Sequence, residues 1–212
     1  VIKIELRGQA VELLREKALF HPGESLLVIA DVHLGKARHF RREGVAIPAH
    51  VQQEDYKRLD TLLRQKAPRS VYFLGDLFHS KLNHDWHYFS ELIAAFPDIQ
   101  FTLIKGNHDI IDERQFTTAG IVVVDEIETE HFLFTHEPVE ETRGKLNIAG
   151  HIHPGFVLSG MANQSIKLPC FYLTGELMLM PAFGVLTGLY SIAAKKGASV
   201  FLVLPDGIKH IH

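Results

Sequence analysis

The sequence predicts an α/β fold, and two observations carry that prediction. The first half alternates short apolar runs with apolar residues at helical spacing, and most of those runs end in a carboxylate, imidazole or amide. Strand–helix alternation of this kind packs as layers of helix on sheet. The chain has 212 residues, 46% of them apolar. That suffices for one domain over residues 1–212 with a substantial core.

Leu26–Ala30, "LLVIA", is continuously apolar, the pattern of a strand buried on both faces. A polar, basic segment follows, to about Gly44. Pro48 then stands where the first turn of a helix accepts it. Leu59, Leu62, Leu63 and Ala67 keep helical spacing until Pro68 closes the element. "SVYFLGD" reads as the next strand, with Asp76 at its end. Trp86, Phe89, Leu92, Ile93 and Phe96 form a second helical stripe, stopped by Pro97. "IQFTLIKG" is a third strand. From about Ile121 the texture changes to short strand-like runs, "GIVVVDE", "HFLFTHE", "KLNIAGH", "SIKLPCFYL" and "SVFLVLP". A strand–helix half followed by a strand-rich half is expected, with helices on the outer face of each sheet.

Composition narrows the function. A net charge of −3 gives no overall basic character, so binding to DNA would rest on a local basic face or on bound cations. The single cysteine, Cys170, excludes an internal disulfide and suits a reducing cytosol; it reads as a small buried residue. The opening "VIKIELRGQAVELL" carries charges within each apolar stretch, so no signal peptide is read there and a cytoplasmic location is expected. Leu177–Ala194 is uncharged and long enough to raise the question of a membrane span. Pro181, Gly184 and Gly188 interrupt it, so it reads as buried strands joined by turns, with no membrane partner. The histidine count, 14, is high, although His210 and His212 belong to the very end of the chain.

Ten polar residues end apolar runs. They are Asp31 and His33 in "ADVHLGK", Asp76 and His79 in "LGDLFH", Asn107, His108 and Asp109 in "KGNHD", His136 in "FTHEP", and His151 and His153 in "AGHIHP". Any one of them alone reads as a turn, a helix cap or an ordinary histidine. Five such loops on neighbouring strands would meet at one edge. Asp, His and Asn together suit divalent transition metals. In an extended D-x-H or H-x-H, residues two apart project to one side and can share an ion. Asp31, His33, Asp76, Asn107, His136, His151 and His153 make seven ligands, too many for one open ion and right for two that share a carboxylate. Two ions roughly 3.5–4 Å apart form a template for in-line displacement at phosphorus by a hydroxide held between them. The leaving oxygen then needs a proton from an uncoordinated histidine.

The ordered series D-x-H, G-D, G-N-H-D, T-H and G-H-x-H resembles the calcineurin-like metallophosphoesterase superfamily over about Leu26 to Pro154. The resemblance implies a four-layer α/β/β/α sandwich of two mixed sheets, with a dinuclear metal site on loops at the sheet edges. It implies that Asp31, His33, Asp76 and His153 hold one ion, and that Asn107, His136 and His151 hold the second, with Asp76 bridging. It makes His108 the proton donor and Asp109 the acid that orients it, and it points to Mn2+ before Zn2+, Fe2+ or Ni2+. "ADVHLGKARHFRREGVAIP" and "LPCFYLTGELMLMPAFGVLTG" are further similar to the bacterial ligase-associated DNA damage response endonuclease group. That likeness implies a phosphodiesterase in DNA repair, encoded beside a DNA ligase, a nuclease and a helicase. Ser80 stands where that group's pattern has an acid.

Lys36, Arg38, Arg41 and Arg42 follow the first metal loop, where cations can grip flanking phosphates; a solvated basic segment is the alternative. His79 would touch substrate phosphate or support Asp76. Of the nearby aromatic residues, Phe40 and Trp86 read as core rather than as base-stacking platforms. Three functions are compatible with these residues: cleavage of nucleic acid, hydrolysis of a small nucleotide or other phosphoester, and a non-catalytic metal-binding scaffold. The filled ligand set and His108 stand against the scaffold.

Overall fold

The computed structural model describes residues 1–79, 84–107, 109, 111–160 and 164–211. Its first sheet opens with an antiparallel meander: β1 (Ile2–Leu6), β2 (Gln9–Leu14), β3 (Ala18–His21) and β4 (Leu26–Ala30). The sheet then turns parallel through β5 (Ser70–Leu74), β6 (Gln100–Ile104) and β7 (Ile121–Val124). Helices α1 (Lys36–Arg42) and α2 (Ala49–Lys66) cross from β4 to β5. α3 (His84–Ala94) and α4 (Glu113–Thr118) make the next two crossings. The basic segment after the first metal loop is thus a short helix, α1.

The central strands are largely apolar because both of their faces are buried, with Thr102 in β6 a buried polar exception. Leu27, Ile29, Phe73, Phe101 and Leu103 point to a core shared with Leu59, Leu62 and Leu63 of α2 and Phe89 of α3. Leu26, Val28, Ala30, Leu74 and Ile104 point to the other face. Each of the three α2 leucines, buried almost completely, contributes about 1.5–3 kcal/mol by leaving water. Pro48 immediately precedes α2, and Ala67 ends it at φ 41°, its N–H returning to the Leu63 carbonyl. Asp112 caps α4 by accepting the Arg114 N–H.

The second sheet contains β8 (Ile127–Glu128), β9 (Phe132–Thr135), β10 (Leu146–Ala149), β11 (Pro154–Ser159), β12 (Ser165–Thr174), β13 (Leu177–Leu179), β14 (Tyr190–Ile192), β15 (Ser199–Leu204) and β16 (Gly207–Ile211). Phe132, Phe134, Ile148, Phe171, Met178 and Phe201 pack against the inner face of the first sheet. Both sheets are mixed, as expected. Helices cover the outer face of the first sheet. Among the described residues no helix follows Thr118; there Cys170, Tyr172, Leu179, Val200 and Leu202 pack with Phe156, Leu158 and Leu168 of the sheet's own strands. Burial pushes the Cys170 thiol up to about 12, which fits an inert core residue. Leu177–Ala194 forms β13, a bend and β14. Among the described residues no helix is long and apolar enough to cross a membrane.

Candidate metal centre

The candidate ligands follow the carboxyl ends of five strands: Asp31 and His33 follow β4, Asp76 β5, Asn107 β6, His136 β9, and His151 and His153 β10. β4, β5 and β6 are mutually parallel, as are β9 and β10, so each sheet delivers its loops to one edge. The loops are not extended. Asp31, His33, Asp76, His151 and His153 have φ of 52°, 50°, 48°, 64° and 51°. This corrects the expectation that D-x-H and H-x-H place their residues on one side by strand periodicity. Tight left-handed turns bring them together instead. Non-glycine residues held this way cost about 1–3 kcal/mol each and persist where packing leaves no alternative.

That packing is visible. Both carboxylate oxygens of Asp31 accept the His151 N–H, at 3.1 and 3.0 Å. The His33 N–H donates to the Asp76 carbonyl at 2.9 Å, and the Gly150 N–H to the His136 carbonyl at 3.0 Å. A Cβ on Gly150 would lie 2.6 Å from Asp31 Oδ2; one on Gly106 would overlap Asp76, and one on Gly75 would overlap His136. Buried Asn147 holds the His136 loop, donating to Leu133 O (3.0 Å) and Thr135 Oγ1 (2.8 Å) and accepting the Val139 N–H (3.1 Å).

The side chains converge with acceptors facing acceptors. His136 Nδ1–H donates to the Leu74 carbonyl at 2.9 Å, which leaves Nε2 with its lone pair. That Nε2 lies 3.2 Å from Asn107 Oδ1, 3.2 Å from His151 Nδ1 and 3.5 Å from Asp76 Oδ1. A second convergence joins His153 Nε2 to Asp31 Oδ1 (3.3 Å) and His33 Nε2 (3.4 Å). His33 Nε2 is also 3.6 Å from Asp76 Oδ2. Lone pairs gathered this closely repel unless protons or cations lie among them. Asp31, His33 and His153 form one group able to hold an ion, and Asp76, His136 and His151 form another. The two oxygens of Asp76 face different groups. Neutral imidazole, carboxylate and amide donors fit two divalent cations.

The other predicted residues are placed as follows. His108 and Ser80 lie outside the described residues. Asp109 Oδ1 accepts the N–H groups of Leu77 (2.9 Å) and Phe78 (3.5 Å), and Oδ2 accepts that of Gly106 (2.9 Å). Asp109 therefore ties the "GNHD" loop to the loop after β5. Burial pushes its carboxyl up to about 6, against the pull of those amides. His79 lies beside His33, with ring centroids 5.7 Å apart. Burial lowers the Lys36 amine, and the carboxylates of Asp76 and Asp31 pull it back up, so it stands in the field of the metal ligands. Arg38 Nε lies 3.6 Å from Asp85 Oδ2. Arg42 belongs to α1, and its side chain is outside the described part of the structure. Trp86 packs on Phe78 and Phe116, as core.

The sequence reading missed a strap. Residues 182–184 run beside the first metal loop: the Phe183 N–H donates to Ala30 O (2.8 Å) and the Gly184 N–H to Asp31 O (3.1 Å). Asp55 accepts the Val185 N–H at 3.2 Å and pairs with Arg58 at 2.8 Å. Arg58 also donates to the Phe183 carbonyl and stacks 4.0 Å over its ring. Lys17 Nζ donates to the Gly184 carbonyl at 3.2 Å. Burial, aided by Arg58 and opposed by Asp55, lowers the Lys17 amine to about 7. Between about pH 7 and its ordinary value the folded chain therefore binds fewer protons at Lys17 than the unfolded chain does. Stability should rise with pH across that window. Replacing Lys17 with Met should flatten that rise in urea melts taken at pH 7, 8.5 and 10.

The model of the family described as calcineurin-like phosphoesterase matches residues 25–166. A comparison with curated proteins finds no match. Among solved structures, the Pseudomonas putida nuclease MPE superposes with a TM-score of 0.83 and 32% identity, covering 95% of this chain and 96% of that one. Yfce, a phosphoesterase from E. coli, covers 88% of this chain and 97% of its own at 15% identity and a TM-score of 0.42, too distant to bear on function.

Proposed function

The chain belongs to the calcineurin-like phosphoesterase family and is a metal-dependent phosphoesterase, and from that premise we propose that it is a phosphodiesterase that cuts DNA during repair. The observation that carries the dinuclear reading is Asp76, whose two oxygens face the two histidine groups. When bound, two divalent ions, manganese foremost, supply charge for the phosphate oxygens and an activated water for in-line attack.

The chain's own residues do the rest. Asp31, His33 and His153 would hold one ion and Asn107, His136 and His151 the other, with Asp76 available to both. Asn107 ligates without adding negative charge, which keeps the site cationic enough for a phosphodiester. His108 gives the leaving oxygen its proton. Asp109 fixes the loop that carries His108, through the amides of Gly106 and Leu77. Lys36 and His79 are the nearest candidates to meet a substrate phosphate. The motif resemblance supports work beside a DNA ligase, a nuclease and a helicase in the cytoplasm. Because loops of both sheets build the centre, residues 1–212 are best taken as one unit.

A net charge of −3 favours a second reading, hydrolysis of a small phosphoester. The two separate on a panel run with the manganese-loaded protein: an aryl phosphodiester, an aryl phosphomonoester, cyclic dinucleotides, and single- and double-stranded DNA. Cleavage of the aryl diester and DNA is expected. Activity on cyclic dinucleotides without DNA cleavage would favour the second reading, and a purely monoesterase profile would overturn both diesterase readings.

A further inference from the structure

We propose that the groove walled by α1, α2 and α3 carries the nucleic acid strand away from the metal centre, with Tyr88 stacking on a base and Arg41 and Lys57 meeting its phosphates. The inference rests on the DNA-cleaving reading above and assigns it a path. The groove has a volume of roughly 660 Å³. Leu92 and Ala95 give it an apolar lining. Tyr88 lines it while remaining 56% exposed. Tyr56 backs it at a centroid distance of 6.2 Å and is itself fixed by its hydroxyl donating to the Asp85 carbonyl at 3.0 Å. A braced, exposed ring is a platform for a base, and such stacking tolerates any sequence.

Charge agrees with this occupant. Arg38, Arg41 and Lys57 line the groove together with Asp60 and Glu91. Asp60 is gripped by Arg64 at 2.9 Å, and Glu91 is faced by His87 at 3.3 Å. Lys57 is exposed and has no ion-pair partner among the described residues. The helix α1, one wall of the groove, starts three residues after His33. Lys36, the first residue of α1, feels the carboxylates of Asp76 and Asp31. Arg38 and Arg41 follow two and five residues later, about 3 and 8 Å along the helix axis. From Tyr88 to Ala95 the wall runs about 10 Å, room for about three stacked nucleotides at roughly 3.4 Å each.

The test uses Tyr88→Ala, Tyr88→Phe and Lys57→Glu. Binding of a fluorescein-labelled single-stranded 12-mer is read by anisotropy in metal-free buffer at several salt concentrations. Cleavage of the same 12-mer and of an aryl diester is read with manganese. Tyr88→Ala and Lys57→Glu should weaken oligonucleotide binding about fivefold or more and lower the DNA-to-aryl-diester ratio of kcat/KM by a similar factor. Lys57→Glu should also flatten the salt dependence, and Tyr88→Phe should restore the ratio. Wild-type ratios in every variant, with the unaltered protein cutting DNA, would overturn the groove alone. Failure of the unaltered protein to cut DNA would overturn the DNA reading, and the groove with it. A change of oligomeric state in Tyr88→Ala, seen by sedimentation with DNA cleavage unchanged, would make this face a contact between copies and likewise overturn the proposal.

Discussion

Asp76→Asn should empty both metal sites together and lower turnover on every phosphodiester by about 10³-fold or more. Asp76 is almost fully buried, and its oxygens lie 3.6 Å from His33 Nε2 and 3.5 Å from His136 Nε2. An amide of the same shape removes the carboxylate charge whose two oxygens face the two histidine groups. Its NH2 would also place donor hydrogens where one cation should be, and those hydrogens would satisfy an imidazole lone pair directly. Each lost ion withdraws several kcal/mol of charge stabilisation from the transition state, and every 1.36 kcal/mol is tenfold in rate. Elemental analysis of the dialysed variant should fall from about two ions per chain to well under one. Asp31→Asn is the informative contrast, because Asp31 approaches His153 Nε2 at 3.3 Å and lies farther, 3.9 Å, from His136 Nδ1. It should lose one ion and keep much of the other. One fully occupied site in Asp76→Asn, with the melting temperature preserved, would remove Asp76 from its bridging position.

The parts of this fold that the sequence announced are those where burial or chemistry leaves little choice. β4, β5 and β6 read as strands because a parallel strand covered on both faces is apolar along nearly all its length. The ligand loops read because each places a metal-binding side chain immediately after such a run. The N-terminal meander was less legible, since its alternation Ile2, Ile4, Leu6 is short and most of its first strand is partly or fully exposed. Its turn is made by Arg7 and Gly8, both at positive φ. α4 escaped notice because it has six residues and one fully buried anchor, Phe116. The strap at 182–185 was invisible for a different reason. Its supports, Lys17, Asp55 and Arg58, lie between 125 and 167 residues away in the chain and carry no local signal. Asp109 shows what adjacency does not announce: its carboxylate also accepts backbone amides on two loops, tying Gly106 to Leu77 and Phe78. The charge run likewise does not announce that Arg38 Nε lies 3.6 Å from the buried Asp85 carboxylate.

His108→Ala should leave both ions in place, keep the melting temperature, and still reduce cleavage of DNA by about 10²–10⁴-fold, the range over which a positioned general acid acts. His108 is covalently adjacent to Asn107, whose Oδ1 lies 3.2 Å from His136 Nε2. The residue is therefore one peptide from a candidate metal ligand, while the seven candidate ligands are complete without it. A deoxyribose oxygen is a poor leaving group and must be protonated as it departs; a nitrophenolate departs as the anion and needs little help. The loss on an aryl diester should accordingly be less than tenfold, and the logarithm of the wild-type to variant ratio should grow with the pKa of the leaving alcohol across a series of diesters. The contrast matters because a residue that only shapes the loop would slow all of these substrates by the same factor. Equal losses across the series, with two ions still bound, would reassign His108 to positioning and require the proton to come from elsewhere, with His79 beside His33 the next group to replace.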